Sequence, residues 1–225
     1  MPDAPVSPYT FRVHQTHNIP AEDFAGVIGL FEANYREANV SYLEKSLAKL
    51  RFLAVAEAAT GVLAGFALGE SRVIDLPGLP AQAVRLAGLC CIGMEHRRKH
   101  LFGTLENLAL NAEPLSPAER TLSTGRMAHP VSFRGMARNP TVVPRRDVTP
   151  TAWQQEVGSA IAEAYGTPAF DPATFVCKGT GVPIGFPVID IESTPEEWEL
   201  FAPVDRTKGD SLLGISWLPT APPGW

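Results

Sequence analysis

Residues 83–94 read AVRLAGLCCIGM, with Arg85 as the one charge in the run. As a strand, such a run has no face suited to water, so it must be covered on both sides. The chain therefore needs a sheet with this strand near its middle and helices on either face. At 225 residues with 45% apolar side chains, it is long enough for one good core. Low hydrophobicity with high net charge, the composition of disorder, is absent.

The flanks supply the rest of such a sheet. Thr10–Thr16, TFRVHQT, alternates as a strand does. NIPAEDFAGVIGLFEANYREAN predicts a helix with Pro20 in its first turn, Glu22 and Asp23 at the positive end of its dipole, and a stripe of Phe24, Ile28 and Phe31. SYLEKSLAKLR predicts a second helix, with Ser41 as N-cap and Glu44 completing a capping box. FLAVAEAATGVLAGFALGESRVIDL predicts two strands hinged at Thr60–Gly61. After the apolar run come a helix in LFGTLENLALNAE, a strand in RTLSTGRMA and a short helix in PVSFRGMARNP that stops at Asn139–Pro140. TPTAWQQEVGSAIAEAYG is a helix with Thr149 or Thr151 near its cap and Gly166 at its end. ATFVCKG and SLLGISWL are late strands, and STPEEWELF is a short capped helix. There is no internal repeat. The expectation is one α+β domain over 1–225 with a Pro-rich, less regular last third.

Formal net charge is −5, which argues against a general nucleic-acid coat. Cys90, Cys91 and Cys177 have no zinc-like spacing, so no metal is expected and a reducing compartment fits. The stretch MPDAPVSPYT lacks the basic and apolar regions of a signal peptide, and no run of about 18 apolar residues exists. A cytoplasmic protein without a membrane partner is expected. His14 and His17, three apart, face opposite sides of a strand and are poor joint metal ligands.

Between the apolar run and the next helix lies EHRRKH, a basic knot in an acidic chain. On residues alone it reads as a solvated turn, a nucleic-acid patch or a cradle for a polyanion. No aromatic interleaving supports base stacking. A helix N-terminus behind a cationic turn offers free N–H groups, partial positive charge and full charges together, which suits a pyrophosphate.

IGMEHRRKHLFGTL resembles the acyl-CoA-binding segment of GNAT N-acetyltransferases, which runs roughly V-x-P-E-Y-R-G/R-K-G-L-G/F-x-x-L with a core of R/Q-x-x-G-x-G/A. Ile92 and Met94 match the strand end, Glu95 and His96 the E-Y pair, and Arg97, Arg98 and Lys99 the R-G/R-K run. Leu101 and Leu105 match apolar helix positions. His100 stands in place of the first glycine and Phe102 in place of the second small residue, with Gly103 one place later. The order of elements over 10–112 is similar to the family's as well, while 113–225 diverges.

The resemblance implies a mixed, mostly antiparallel twisted sheet flanked by helices, with splayed central strands. It implies acetyl-CoA or another acyl-CoA as co-substrate, held by Ile92, Met94, Arg97, Arg98, Lys99, His100, Leu101, Phe102 and Gly103, with Asn139 as a further contact. The reaction it implies is direct acyl transfer to a small-molecule or peptide amine, with Tyr165 as acid. For the base, the residues themselves offer Glu70, the one carboxylate in the otherwise apolar ALGES, where partial burial would raise its pKa. Tyr35 and Tyr42 fall where the family shapes its acceptor pocket. Cys90 and Cys91 read as inert core thiols. Trp225 has two destinations, this domain or a second copy in a homodimer. The departures at His100 and Phe102 motivate a second reading, a GNAT-fold CoA-binding or regulatory module without activity. A negative φ at His100 leaves the turn unstrained; a positive one strains it.

Overall fold

The computed structural model describes residues 8–116, 118–167 and 169–225. The apolar run extends as part of β5 (Leu79–Ile92), which lies inside an eight-stranded sheet. On one side of it stand β4 (Leu63–Leu76), β3 (Phe52–Ala58) and β1 (Tyr9–Gln15), each antiparallel to the next. On the other side stand β6 (Thr121–Met127), β10 (Ser211–Leu218), β8 (Val176–Lys178) and β7 (Ala169–Asp171). β5 and β6 are the one parallel pair. A two-residue strand, β2 (Tyr35–Arg36), pairs separately with β9 (Phe186–Pro187).

Helices cover both faces, as the doubly buried strand requires. The larger core takes Val27 and Phe31 from α1 (Ala21–Asn34), Leu43 and Leu47 from α2 (Val40–Leu47), and Phe133 from α4 (Pro130–Ala137). It also takes Val157 and Ile161 from α5 (Ala152–Ala164). The opposite face takes α3 (Leu101–Leu110) through Leu101, Leu105 and Ala109. There the strands present Ala54, Ala56, Ala64 and Ala67, side chains small enough to let the helix lie close. β3 shows the two-residue period directly: Leu53 and Val55 enter the large core, Ala54 and Ala56 the small one. The mixed, mostly antiparallel sheet flanked by helices agrees with the fold class expected from the sequence.

Local chemistry differs from expectation at several ends. The first helix stops at Asn34, and Tyr35 leaves it for β2, because Val188 N–H and the β9 pairing draw the chain into extended form. Asn39, not Ser41, caps α2; its Oδ1 accepts the Tyr42 N–H at 3.0 Å. Pro20 sits at the N-cap of α1, one place outside its first turn. Thr151 caps α5 in a full capping box with Gln154, and Gly166 follows at φ 61°. Thr194 and Glu197 make the same box on α6 (Pro195–Glu199). His129 caps α4, its Nδ1 accepting the Val131 N–H. His14 Nε2 donates to Asp23 Oδ2 at 2.7 Å, while His17 lies exposed in the turn after β1. Trp225 packs edge-on against Trp153 and Trp217 of its own chain. The reading of the first seven residues lies outside the described residues. Among the described residues no helix is long and apolar enough to cross a membrane.

The feature that positions the site is the parting of β5 from β6. They pair from Ala83↔Thr121 to Ala87↔Gly125 and no further. At that point the register of β4 on β5 slips: Gly69 opposes Ala87 but Ala67 opposes Cys90, so one residue of β4, Leu68, faces two of β5, Gly88 and Leu89. This is a β-bulge at Gly88–Leu89, and bulges bend a strand and raise its twist. It turns the last residues of β5 away from β6. A Cβ on Gly88 would collide with Leu50 Cδ1, and would lie 2.8 Å from Leu68 Cβ and 3.1 Å from Leu68 O. Gly88→Ala is therefore expected to lower stability by about 1–3 kcal/mol through overpacking, read as a fall in the denaturant midpoint at unchanged slope.

Candidate acyl-CoA site at the parted strands

Past the bulge, β5 runs on to Ile92. Gly93 N–H is taken by Ala64 O, so strand alternation turns the Ile92 backbone toward the open side. The chain then makes a one-turn helix at Met94–His96 and enters the basic turn. Arg98 and His100 both stand in left-handed conformation, at φ 61° each. His100, the residue in the glycine position, is the N-cap of α3 and makes no side-chain capping bond. The turn thus keeps a glycine-like backbone without the glycine. Left-handed residues other than Gly, Asn, Asp and His are uncommon, and holding one costs about 1 kcal/mol or more. With no side chain capping α3, its first N–H groups are open to an anion. Phe102 is 47% exposed, and a Cβ on Gly103 would meet nothing within 4 Å, so the first turn has room on its outer face.

Arg97 is not a free cation. Its Nε donates to Ile92 O at 3.3 Å, one Nη to Asn34 Oδ1 at 3.3 Å and the other to Asp190 Oδ1 at 3.0 Å. It staples the turn to the tip of β5, to α1 and to the segment joining β8 and β10. Three of its five N–H donors are thereby engaged within the chain, and two are left for a ligand. Arg98, 74% exposed at its side chain, shares Asp190 at 3.4 Å. Lys99 and His100 are exposed. The Arg97 guanidinium holds the Asp190 carboxyl below the usual carboxylate range. The cradle therefore already carries one negative charge from its own chain.

Tyr165 follows α5 and points into the fork. Its hydroxyl donates to Ala87 O at 2.9 Å, the last paired residue of β5, and lies 3.0 Å from Thr124 Oγ1. Thr124 donates to Arg85 O, so the two hydroxyl protons are divided among three short contacts. Burial raises the Tyr165 pKa well above a free phenol's. Glu70 lies opposite Leu86, which lies opposite Thr124, so all three share one row and one face. Two strand spacings, about 10 Å, separate Glu70 from Thr124, with Leu86 between. Glu70 is 1% exposed and ion-paired with Arg72. That pairing ties up the carboxylate expected as a base.

Asn139 is not at the cradle. Its Nδ2 donates to Trp217 O and its Oδ1 accepts from Thr141. Trp217 opposes Leu122, which opposes Val84, eight residues before Ile92 on β5. At ~3.3 Å per residue that is about 26 Å from the strand tip, and Asn139 is corrected to a turn residue. Tyr35, drawn out by β2, stacks on Phe31 at 4.5 Å, and burial beside Cys91 and Cys90 raises its pKa. Tyr42 stays on α2. Burial pushes the Cys91 thiol up to about 12, so it stays a thiol, donating weakly to Leu30 O.

One residue escaped the sequence reading. Glu106, mid-α3, has no hydrogen bond or ion pair among the described residues, and burial raises its pKa. It sits on α3, the helix that covers the small-core face of the sheet beside Cys90. A lone carboxylate inside LFGTLENLAL was the available signal. No group of three metal-ligating side chains occurs among the described residues.

No protein-family model matches the chain, and no curated protein matches it. Solved structures similar to it include Escherichia coli YhbS, a GNAT family N-acetyltransferase in complex with CoA, at 19% identity over 59% of this chain and 69% of that one, with a TM-score of 0.39. Another is the GphF GNAT-like decarboxylase in complex with isobutyryl-CoA, at 13% identity over 91% and 98%, TM-score 0.39. A third is the GCN5-related glucosamine N-acetyltransferase region of a fungal multi-domain GH3 β-N-acetylglucosaminidase, at 16% identity over 52% of this chain, TM-score 0.39; this chain spans 14% of that protein. These likenesses fix no residue's role. The order of elements, and a central strand that leaves its parallel neighbour just before a cationic turn and helix, are the chain's own, and they agree with the mixed sheet flanked by helices expected from the sequence.

Proposed function

We propose that the chain is an acyl-CoA-dependent N-acyltransferase that passes an acetyl or other acyl group directly to an amine. The observation that carries this reading is the fork itself: β5 and β6 separate after Ala87, and the freed strand ends in a left-handed basic turn at the open N-terminus of α3. The edge of Gly88–Cys91 that β6 no longer pairs offers hydrogen bonds to an extended amide-bearing chain, the opposite edge staying on β4. Arg98, Lys99, His100 and the N–H groups of Leu101, Phe102 and Gly103 suit a pyrophosphate. Ile92 and Met94 flank the entry, with Met94 53% exposed.

Tyr165 is the proton donor in this reading. It is the hydroxyl at the root of the fork, it is protonated at neutral pH, and contact with a developing thiolate is what would draw its proton away from Ala87 O. Glu106 replaces Glu70 as the carboxyl available to accept a proton, because Glu70 is ion-paired with Arg72 while Glu106 makes no ion pair among the described residues and feels only the charge of Arg85. Most of the rate enhancement then comes from holding thioester and amine together. A second reading, a CoA-binding or regulatory module without turnover, draws on Asp190: the cradle's arginines already have a carboxylate.

Calorimetry with acetyl-CoA, and release of free thiol across a panel of amines, separate the two: binding with turnover supports transfer, and binding without it supports the module. No binding at all sinks both. Asp190→Asn is expected to tighten acetyl-CoA binding about two- to fivefold, the worth of an exposed ion pair. His100→Gly removes the left-handed strain and is expected to add up to about 1 kcal/mol of stability, seen as a rise in thermal midpoint, with acetyl-CoA binding kept. Tyr165→Phe is expected to lower kcat by about 100-fold or more with the KM for acyl-CoA little changed; an unchanged kcat removes it as the acid.

A further inference from the structure

The 32 residues between Lys178 and Ser211 connect β8 to β10 and hold an arginine in an unusual state. Arg206 is partly buried, and its Nε is shut off from solvent with no hydrogen-bond acceptor. Its guanidinium lies 5.5 Å from the Phe186 ring centre and 5.7 Å from that of Trp198. No carboxylate or carbonyl bonds it among the described residues. The carboxylates close to it in sequence have other partners: Asp205 holds Lys208 and Thr207, and Glu197 holds Arg134 through both oxygens. Arg36 lies directly opposite Phe186 across the β2–β9 pair, exposed and likewise without an acceptor. Arg36 and Arg206 thus both border Phe186, and burial together with the like charge of Arg36 lowers the Arg206 pKa.

A half-buried cation facing another cation is a costly arrangement in the empty protein. Two aromatic faces offset part of that cost. Among the described residues nothing offsets the rest. An oxyanion between the two guanidinium groups does: it supplies the missing acceptor and turns repulsion into attraction. The position is as telling as the charge. Trp198 packs edge-on at 4.9 Å against His129, the residue that caps α4 just beyond β6. The same segment reaches Arg97, past the tip of β5, through Asp190. Arg206 thus sits on a bridge between the far ends of the two parted strands.

We infer that Arg206 and Arg36 form an oxyanion-binding site, and that the amine acceptor carries the oxyanion, a carboxylate or a phosphate. The site stands on its own geometry; its assignment to the acceptor rests on the acyl-transfer reading.

The test measures thermal midpoints without any CoA, in sodium acetate, sodium succinate and sodium phosphate, each against sodium chloride at equal ionic strength. The matching oxyanion is expected to raise the wild-type midpoint by roughly 3–5 °C at about tenfold its Kd. Response to the carboxylates or to phosphate says which group the ligand bears. Arg206→Met is expected to lose that response. Arg36→Met, an exposed change that leaves the core intact, is expected to weaken it at least threefold. A response no greater than that to chloride, or one equal in wild type and Arg36→Met, overturns the site. With acetyl-CoA present, Arg36→Met is expected to raise the KM for oxyanion-bearing amines about tenfold and leave that for acetyl-CoA unchanged. If the oxyanion response stands but no amine is acylated, the acyl-transfer reading fails and the site remains.

Discussion

Everything that makes this fold usable depends on two parallel strands ceasing to pair. A sheet satisfies its backbone by pairing neighbours, and stripping one edge of the last residues of a central strand of its partner exposes donors and acceptors that otherwise seek one. The chain enforces the separation sterically. The bulge at Gly88–Leu89 shifts the β4–β5 register by one residue, and the contact of Gly88 with Leu68 and Leu50 leaves no space for a side chain. Below the break, Tyr165 and Thr124 fill the crotch with hydroxyls that bond Ala87 O and Arg85 O. A water-filled or apolar crotch would leave those carbonyls differently served. The fork is thus propped from one side by shape and from the other by hydrogen bonds.

The long connection from β8 to β10 supplies what the parted strands no longer give one another. It pairs β9 with β2, sets Asp190 on Arg97 and Arg98, and sets Glu197 on Arg134 of α4. Each of these ties has at least one partly exposed partner. Exposed ion pairs contribute about 0–1 kcal/mol apiece. The connection is therefore held by many weak ties, and any one of them yields to a ligand of higher charge without loss of the fold. A polyanion at the basic turn meets a single competing carboxylate.

The core elements were legible because they follow from period and polarity. The doubly apolar run, the alternating Leu53–Ala56 segment and the helical stripe of Leu101, Leu105 and Ala109 all declare which face is buried. What was not legible depended on partners distant in sequence. Tyr35 left its helix because β9, some 150 residues on, offers it a strand partner. Ser41 lost the cap to Asn39, whose amide also reaches Pro183 O, an acceptor in the late connection. Asn139 sits beside a helix that the family places near CoA, yet the β6–β10 register carries it to the wrong end of the sheet. Arg97 matched a motif by position, but a motif does not say whether a guanidinium already has its acceptors. Glu106 was passed over because a glutamate on a helix is ordinary until the helix is known to face a gap.

Arg97 and Arg206 show why the count of charges says little about where an anion binds. Both are partly buried and both lie in the same surface region. Arg97 has an acceptor for each of its nitrogens, two of them backbone or amide oxygens that cannot leave without the fold moving. Its burial is balanced, and a ligand gains little by approaching it. Arg206 has ring faces in place of acceptors and a like charge for a neighbour. Its desolvation is already borne by the folded protein, so an arriving oxyanion collects the full interaction without that cost. In an acidic chain, whose overall field repels anions, a local deficit of this kind is what discriminates one position from another.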